Sequence, residues 1–437
     1  MKNGRKWIAI WLTALLGLTG CGLFTPKPTA VTLSASPSSS APEATDAKTV
    51  IVYARGIDET EGTAKLIEAY NAQSSTVIVR YQELASDAGR RHQALYTSLG
   101  AQVADIDVFD ADIVWPAEFA ARGFVLAVDP FVSRDRIAMN AYLPGMVRAA
   151  TYRNTLWGMP KNASAGVLYY RTDLLDAPPR TWDDLLEQAA VENMKYGFVF
   201  NGETDEGIIC AALEFIYAYG GRILDDDGNI VVQNEKTIAG LNKFLEVYTA
   251  DITPPNIAEM TDTEASIAFL QGESTMMRNW PHAWVVGGKF VGDARVPFAI
   301  APLPAGDTRA AAVLGGSVMM INSKTRNAAA AWDFIRFATG PEGQAILAIY
   351  GGRVPALRSV MQNAAVRESN PHFGETDFVR AIENAVPRIV TPHYQTFSIV
   401  MQEELRKFLL LEQDAETTAA NMEERIGPVL TVHETDD

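Results

Sequence analysis

Residues 276–284 read Met-Met-Arg-Asn-Trp-Pro-His-Ala-Trp, and the chemistry on offer there is recognition rather than bond making. An indole presents a flat apolar face with one donor on its edge, which suits the apolar face of a sugar ring better than an anion or a peptide. The neighbouring residues set where that ring stands. An apolar helical pattern at 266–270 stops at Gly272, residues 274–278 read as a short buried strand, and Pro281 fits the first position of a new helix. Asn279 and Trp280 therefore fall at a strand-to-helix corner, where a scaffold fixes the backbone and leaves the tip uncovered. Packing in the core is the competing account of Trp280 and Trp284, and the pair alone does not decide.

A second set of candidates is acidic. From Thr49 the pattern alternates: strand 50–53, helix 61–73, strand 77–81, helix 90–99 and strand 106–110. Such alternation implies right-handed crossovers and a mainly parallel sheet, whose ligands lie beyond the carboxyl ends of the strands. The loops carrying Asp58, Glu59 and Asp112 occupy those ends. Any one of these acids is more simply a solvated loop residue or a helix cap, but three on adjacent strand ends point to a site.

The chain has 437 residues, 48% of them hydrophobic, enough for two or three globular domains. Its formal charge of −16 argues against nucleic acid as a partner, since phosphate binding needs a basic face. The only two cysteines, Cys21 and Cys210, stand in unlike contexts, so neither a disulfide framework nor a zinc spacing is available. Cys210 falls on an apolar helix expected over 206–219 and reads as an inert core thiol. Asp225-Asp226-Asp227-Gly228-Asn229 has its glycine off register for a calcium loop, and Lys236 stands where the twelfth-position glutamate belongs, so it reads as a turn between two short strands. No metal or other cofactor is expected.

Residues 1–20 carry Lys2, Arg5 and Lys6 ahead of an apolar run at 7–18, the layout of a secretory signal peptide. The run ends in Leu18-Thr19-Gly20-Cys21, similar to a bacterial lipobox, which makes Cys21 the expected site of lipid attachment. Residues 21–48 are rich in Ser, Thr, Pro and Ala and cannot bury enough surface to offset chain entropy. As a disordered tether they hold the body roughly 30 Å from the membrane. The expected location is extracytoplasmic, lipid-anchored to the bacterial cell membrane.

Three stretches carry a resemblance: 105–115 (Asp-Ile-Asp-Val-Phe-Asp-Ala-Asp-Ile-Val-Trp), 168–171 (Leu-Tyr-Tyr-Arg) and 278–281 (Arg-Asn-Trp-Pro). They resemble the extracellular solute-binding proteins of ABC importers, with the trehalose/maltose-binding branch the nearest match. The likeness continues through Gly315-Gly316 and through 383–388 (Glu-Asn-Ala-Val-Pro-Arg), and so covers nearly all of 49–430. It implies an α/β, two-lobe periplasmic-binding-protein-like fold of type II, each lobe a mainly parallel sheet flanked by helices. Lobe 1 would take 49–160 plus 313–354 and lobe 2 would take 161–312 plus 355–432, with a hinge of three crossings that permits closure around a ligand.

The resemblance also implies a function, capture of a sugar and delivery to ABC permease subunits by a monomer. The branch's sugar-contacting residues fall on Glu59, Arg91, Asp112, Asn162, Ser164, Trp280, Gly316 and Arg388. Carboxylates would accept from sugar hydroxyls and guanidinium groups would donate in a fork. Ser317 departs from the pattern, standing where the branch places a second tryptophan. Ser164 replaces an aspartate and Asn162 a tyrosine, which makes the second-lobe wall smaller and less charged, and turns the expectation toward carbohydrate in general rather than trehalose.

Two other readings compete on the same residues. A binding protein of the same fold could take a non-sugar polar solute. A secreted glycoside hydrolase could be built on Asp110, Asp112 and Glu203 or Glu206, but nothing in the sequence fixes an acid and a nucleophile at the needed separation. No Gly-x-Ser-x-Gly elbow, His-Glu-x-x-His, P-loop or dinucleotide fingerprint occurs, and five scattered histidines form no cluster.

Overall fold

The computed structural model describes residues 48–225, 227–291 and 296–431. The signal segment, Cys21 and the tether through residue 47 lie outside the described residues, as does Asp226 of the acidic turn. Twelve strands are defined among the described residues: β1 (Thr49–Gly56), β2 (Val77–Leu84), β3 (Val108–Asp112), β4 (Thr151–Tyr152), β5 (Thr155–Leu156), β6 (Met159–Ala165), β7 (Val167–Arg171), β8 (Tyr196–Val199), β9 (Ser274–Asn279), β10 (Phe298–Ala301), β11 (Leu314–Ile321) and β12 (Val354–Pro355). A six-stranded sheet runs β12-β6-β11-β3-β1-β2, a four-stranded sheet runs β10-β7-β9-β8, and β4 with β5 forms a small hairpin. Both large sheets belong to one unit, Asp46–Asp437.

The α/β alternation is present, with helices Gly62–Gln73 and Ala88–Gly100 following β1 and β2. The sheets, however, are mixed rather than mainly parallel. Only β1 with β2 and β1 with β3 run parallel in the first, and only β8 with β9 in the second. Period-two patterning marks a strand but is blind to its neighbour's direction.

Local signals set several element starts. Thr181 and Asp184 close a capping box ahead of helix Trp182–Ala189, and Pro116 opens helix Pro116–Ala121. Helix Glu206–Ala218 is apolar around its circumference and is buried from Gly207 to Ala218, Cys210 included. Pro281, in contrast, does not begin a helix. The Trp280 carbonyl accepts from Ala283 N and from the Tyr169 hydroxyl, which closes a turn, and the helix is Ala283–Val291. The acidic turn is present, Asp225 Oδ1 accepting from Asp227 N and Asn229 N, but the flanking strands reduce to one bridge between Leu224 and Ile230.

The chain passes between the large sheets at Gly166 and between β10 and β11, and after β12 it continues in helices, of which Tyr394–Leu409 packs on Glu206–Ala218. Residues 161–165 were expected in the second lobe, yet they pair with β11 and β12 inside the six-stranded sheet. Gly166 makes the passage because a Cβ there would collide with the Glu214 carboxylate. That carboxylate takes a bidentate grip from Arg278 at 2.7 and 2.9 Å and also accepts from Val313 N at 3.3 Å. Glu214 thus ties the passage at Gly166, the strand β9 and the start of β11 to one buried ion pair.

Candidate functional site

A cavity of about 380 Å³ is lined on one side by the six-stranded sheet and its loops and on the other by Trp280, just past β9, and by the residues around Glu206 and Asp262 at two helix starts. All nine residues expected at a site line it: Glu59, Arg91, Asp112, Asn162, Ser164, Trp280, Gly316, Ser317 and Arg388. Register explains much of this convergence. Across the β11–β3 ladder Ser317 faces Asp112, and across the β11–β6 ladder Ser317 faces Asn162 while Gly315 faces Ser164. The Asn162 and Ser164 wall therefore belongs to the six-stranded sheet and not to the second lobe. A bulge between Ser317 and Val318 lets β11 satisfy both neighbours. Gly316 holds φ at +134°, and a side chain there would strike the Asn162 carbonyl.

Trp280 stands at the β9 corner, half-buried. Its Nε1 donates to Asp262 Oδ2 at 3.0 Å, the Arg278 guanidinium lies 4.5 Å from its ring centre, and its six-membered ring approaches Gly315 of β11. The ring is thus fixed on the cleft wall by a donor bond and a cation–π contact. Trp284, on the following helix, packs half-buried against the core.

Arg388 is 4% exposed and joins two carboxylates. Its Nη2 donates to Asp112 Oδ1 at 2.8 Å and its Nη1 to Glu206 Oε1 at 2.6 Å. Glu206 also accepts from Tyr394 Oη and, at 2.8 Å, from Ser398 Oγ. Arg91 donates to the carbonyls of Ala85 and Ser86, at 3.2 and 2.7 Å, and stacks over Trp115. Asp58, a candidate from its loop position, does not line the cleft. It accepts from Arg55, Thr60 and Thr63, and although burial raises its carboxyl, Arg55, then Arg353 and the two threonines hold it well below the usual range. Beneath the cleft, Lys161 donates to Asp110 at 2.6 Å and to Tyr53 at 2.7 Å, and burial lowers it to about 8.

Sequence reasoning missed Asp205 and Asp262, which also line the cleft. Burial and then the neighbouring Asp262 push the Asp205 carboxyl up to about 6, and burial raises Asp262 as well. Their signal was available as helix-start chemistry: Asp205 caps helix Glu206–Ala218, and Thr261 with Glu264 forms a capping box around Asp262. Four of the lining residues carry a buried polar atom with no hydrogen-bond partner: Ser164 Oγ, Asp262 Oδ1, Arg388 Nε and Arg55 Nε, the last 3.4 Å from Asp110 Oδ2. The hydrolase alternative finds no support in these positions. Asp110 is engaged by Lys161 and Tyr53, Asp112 and Glu206 share one guanidinium, and Glu203 does not line the cleft. Among the described residues no group of His, Cys, Asp and Glu could hold a metal ion.

A probable ABC transporter-binding protein of Deinococcus radiodurans is 32% identical over 328 residues, 72% of this chain and 76% of its own length. A maltotriose-binding protein of Pyrococcus abyssi is 27% identical over 77% of this chain and 72% of its own. The structure of maltose-bound T. maritima MalE3 superposes with a TM-score of 0.81 at 30% identity, covering 87% of this chain and all of that one. The model of the bacterial extracellular solute-binding proteins matches residues 56–345, and the chain belongs to that family.

Proposed function

We propose that this chain is a lipid-anchored sugar-binding protein of an ABC importer, which captures a disaccharide or oligosaccharide in the cleft and delivers it to permease subunits of the cytoplasmic membrane. One observation carries the reading: nine residues from distant parts of the chain line a single cavity that mixes carboxylates, guanidinium groups and the edge-anchored ring of Trp280. That mixture matches a polyhydroxylated ligand, whose hydroxyls need acceptors and donors and whose ring needs an apolar wall. The names of the Pyrococcus abyssi and T. maritima proteins favour α-linked glucose oligosaccharides among the sugars.

The two large sheets would act as lobes that close about the three passages near Gly166, Val313 and Val354. Cys21 would carry the lipid, and no described helix is long and apolar enough to cross a membrane. Capture and release by a monomer need no cofactor and no bond making. A thermal-shift panel of mono-, di- and oligosaccharides tests the reading. Stabilisation by at least one sugar supports it, and stabilisation by amino acids or peptides in place of sugars would refute it.

A further inference from the structure

We propose that Glu206 is a specificity-determining residue of the cleft, which makes the site accept uncharged sugars and refuse acidic or phosphorylated ones. The inference deepens the sugar reading and rests on it. A lone buried arginine in a cleft is ordinarily an anion fork. Here Arg388 meets two carboxylates at 2.6 and 2.8 Å, so the Glu206–Arg388–Asp112 cluster carries one net negative charge. Glu206 is held in that role by Tyr394 and Ser398 and sits in the first turn of helix Glu206–Ala218, where the helix dipole favours its charge.

The remaining cations offer no substitute. Arg55 and Arg353 both face Asp58, at 2.7 and 3.7 Å, and Arg91 gives its Nη1 to two backbone carbonyls. His282 is driven toward its neutral form by burial. Altogether the lining carries seven Asp or Glu against four Arg. Asp205 and Asp262 receive only uncharged donors, from Gly207, Asn201 and Trp280. A carboxylate or phosphate entering this cleft would meet an excess of carboxylates in the lining and, at Arg388, a guanidinium already engaged by two of them. A neutral sugar meets acceptors for its hydroxyls.

The test compares maltose with maltose 1-phosphate on the full chain by calorimetric titration. The unmodified protein should bind the phosphate ester at least about tenfold more weakly, and Glu206→Gln should narrow that ratio severalfold by removing one of the two negative charges beside Arg388. Glu206→Asp, which keeps the charge, should leave the preference for maltose in place. Equal binding of both sugars by the unmodified protein, or an unchanged ratio in a folded Glu206→Gln, would overturn the proposal. If maltose and its ester both fail to bind, the choice of sugar is wrong and inorganic phosphate decides instead. Phosphate should raise the melting temperature of Glu206→Gln and not of the unmodified chain, and an equal response in the two would refute the role of Glu206.

Discussion

Ser317 stands opposite Asp112 in the antiparallel pairing of β11 with β3. It also faces Asn162 across the ladder to β6, so it lies between two other residues of the cleft wall. A tryptophan at this position would supply a second ring wall beside the carboxylate. Ser317→Trp should therefore tighten compact disaccharides by about 1.5–3 kcal/mol, one to two decades in affinity, while excluding bulkier glycans. The polar gap at Ser164 would mask part of the gain, so the double variant with Ser164→Asp belongs in the same titration series. If the unmodified protein already binds trehalose at micromolar strength, another residue fills the gap.

Trp280→Ala should weaken sugar binding by about 1.5–3 kcal/mol while leaving most of the stability, because the ring is anchored on the cavity wall by Asp262 and Arg278. Trp284→Ala should do the reverse, with a stability loss of about 2–3 kcal/mol from a half-buried side chain packed against the core. Calorimetry paired with thermal melts checks both halves. Equal stability loss in the two variants would assign Trp280 to the core.

Asp205 supplies a pH test. Its folded carboxyl is raised to about 6, above the unfolded value near 3.9. The stability linked to this raised value is fully present below about pH 4 and is lost as pH rises through about 6. Asp205→Asn keeps an acceptor for Gly207 N and carries no charge. The variant should exceed the unmodified protein by about 1–2 kcal/mol at pH 8, with the gap closing toward pH 4. Urea melts at the two pH values measure it, and a gap that does not change with pH would contradict the assignment.

Local order was legible in the sequence where local chemistry decides it. Thr181 and Asp184, Pro116 and the apolar run at 206–218 each announced an element that the structure contains. The corner at Trp280 was legible too, although the turn there delays the helix to Ala283. Strand direction was not, because β3 (Val108–Asp112) and β11 (Leu314–Ile321) are far apart in the chain and alternation carries no record of its partner. The same holds for charges. Asp58 and Glu59 look alike in one loop, yet Asp58 is consumed by Arg55 and its threonines while Glu59 lines the cleft. Asp205 and Asp262 were hidden as ordinary helix-start acids, and only the fold brings them to the cleft beside Trp280.

Cys21→Ala should release the protein from the membrane fraction, since the apolar run at 7–18 is expected to be cleaved with the signal. Cell fractionation checks this. Retention of the cleaved variant on the membrane would contradict the lipid attachment.

Calorimetric titration of the purified chain with maltose, maltotriose and trehalose in turn bears most directly on sugar capture in the cleft. At least one should bind saturably at one site per chain, and a hundredfold excess over its dissociation constant should then stabilise the fold by about 2.7 kcal/mol. Absence of binding heat from all three, with a folded protein confirmed in the same samples by its thermal melt, would contradict the account.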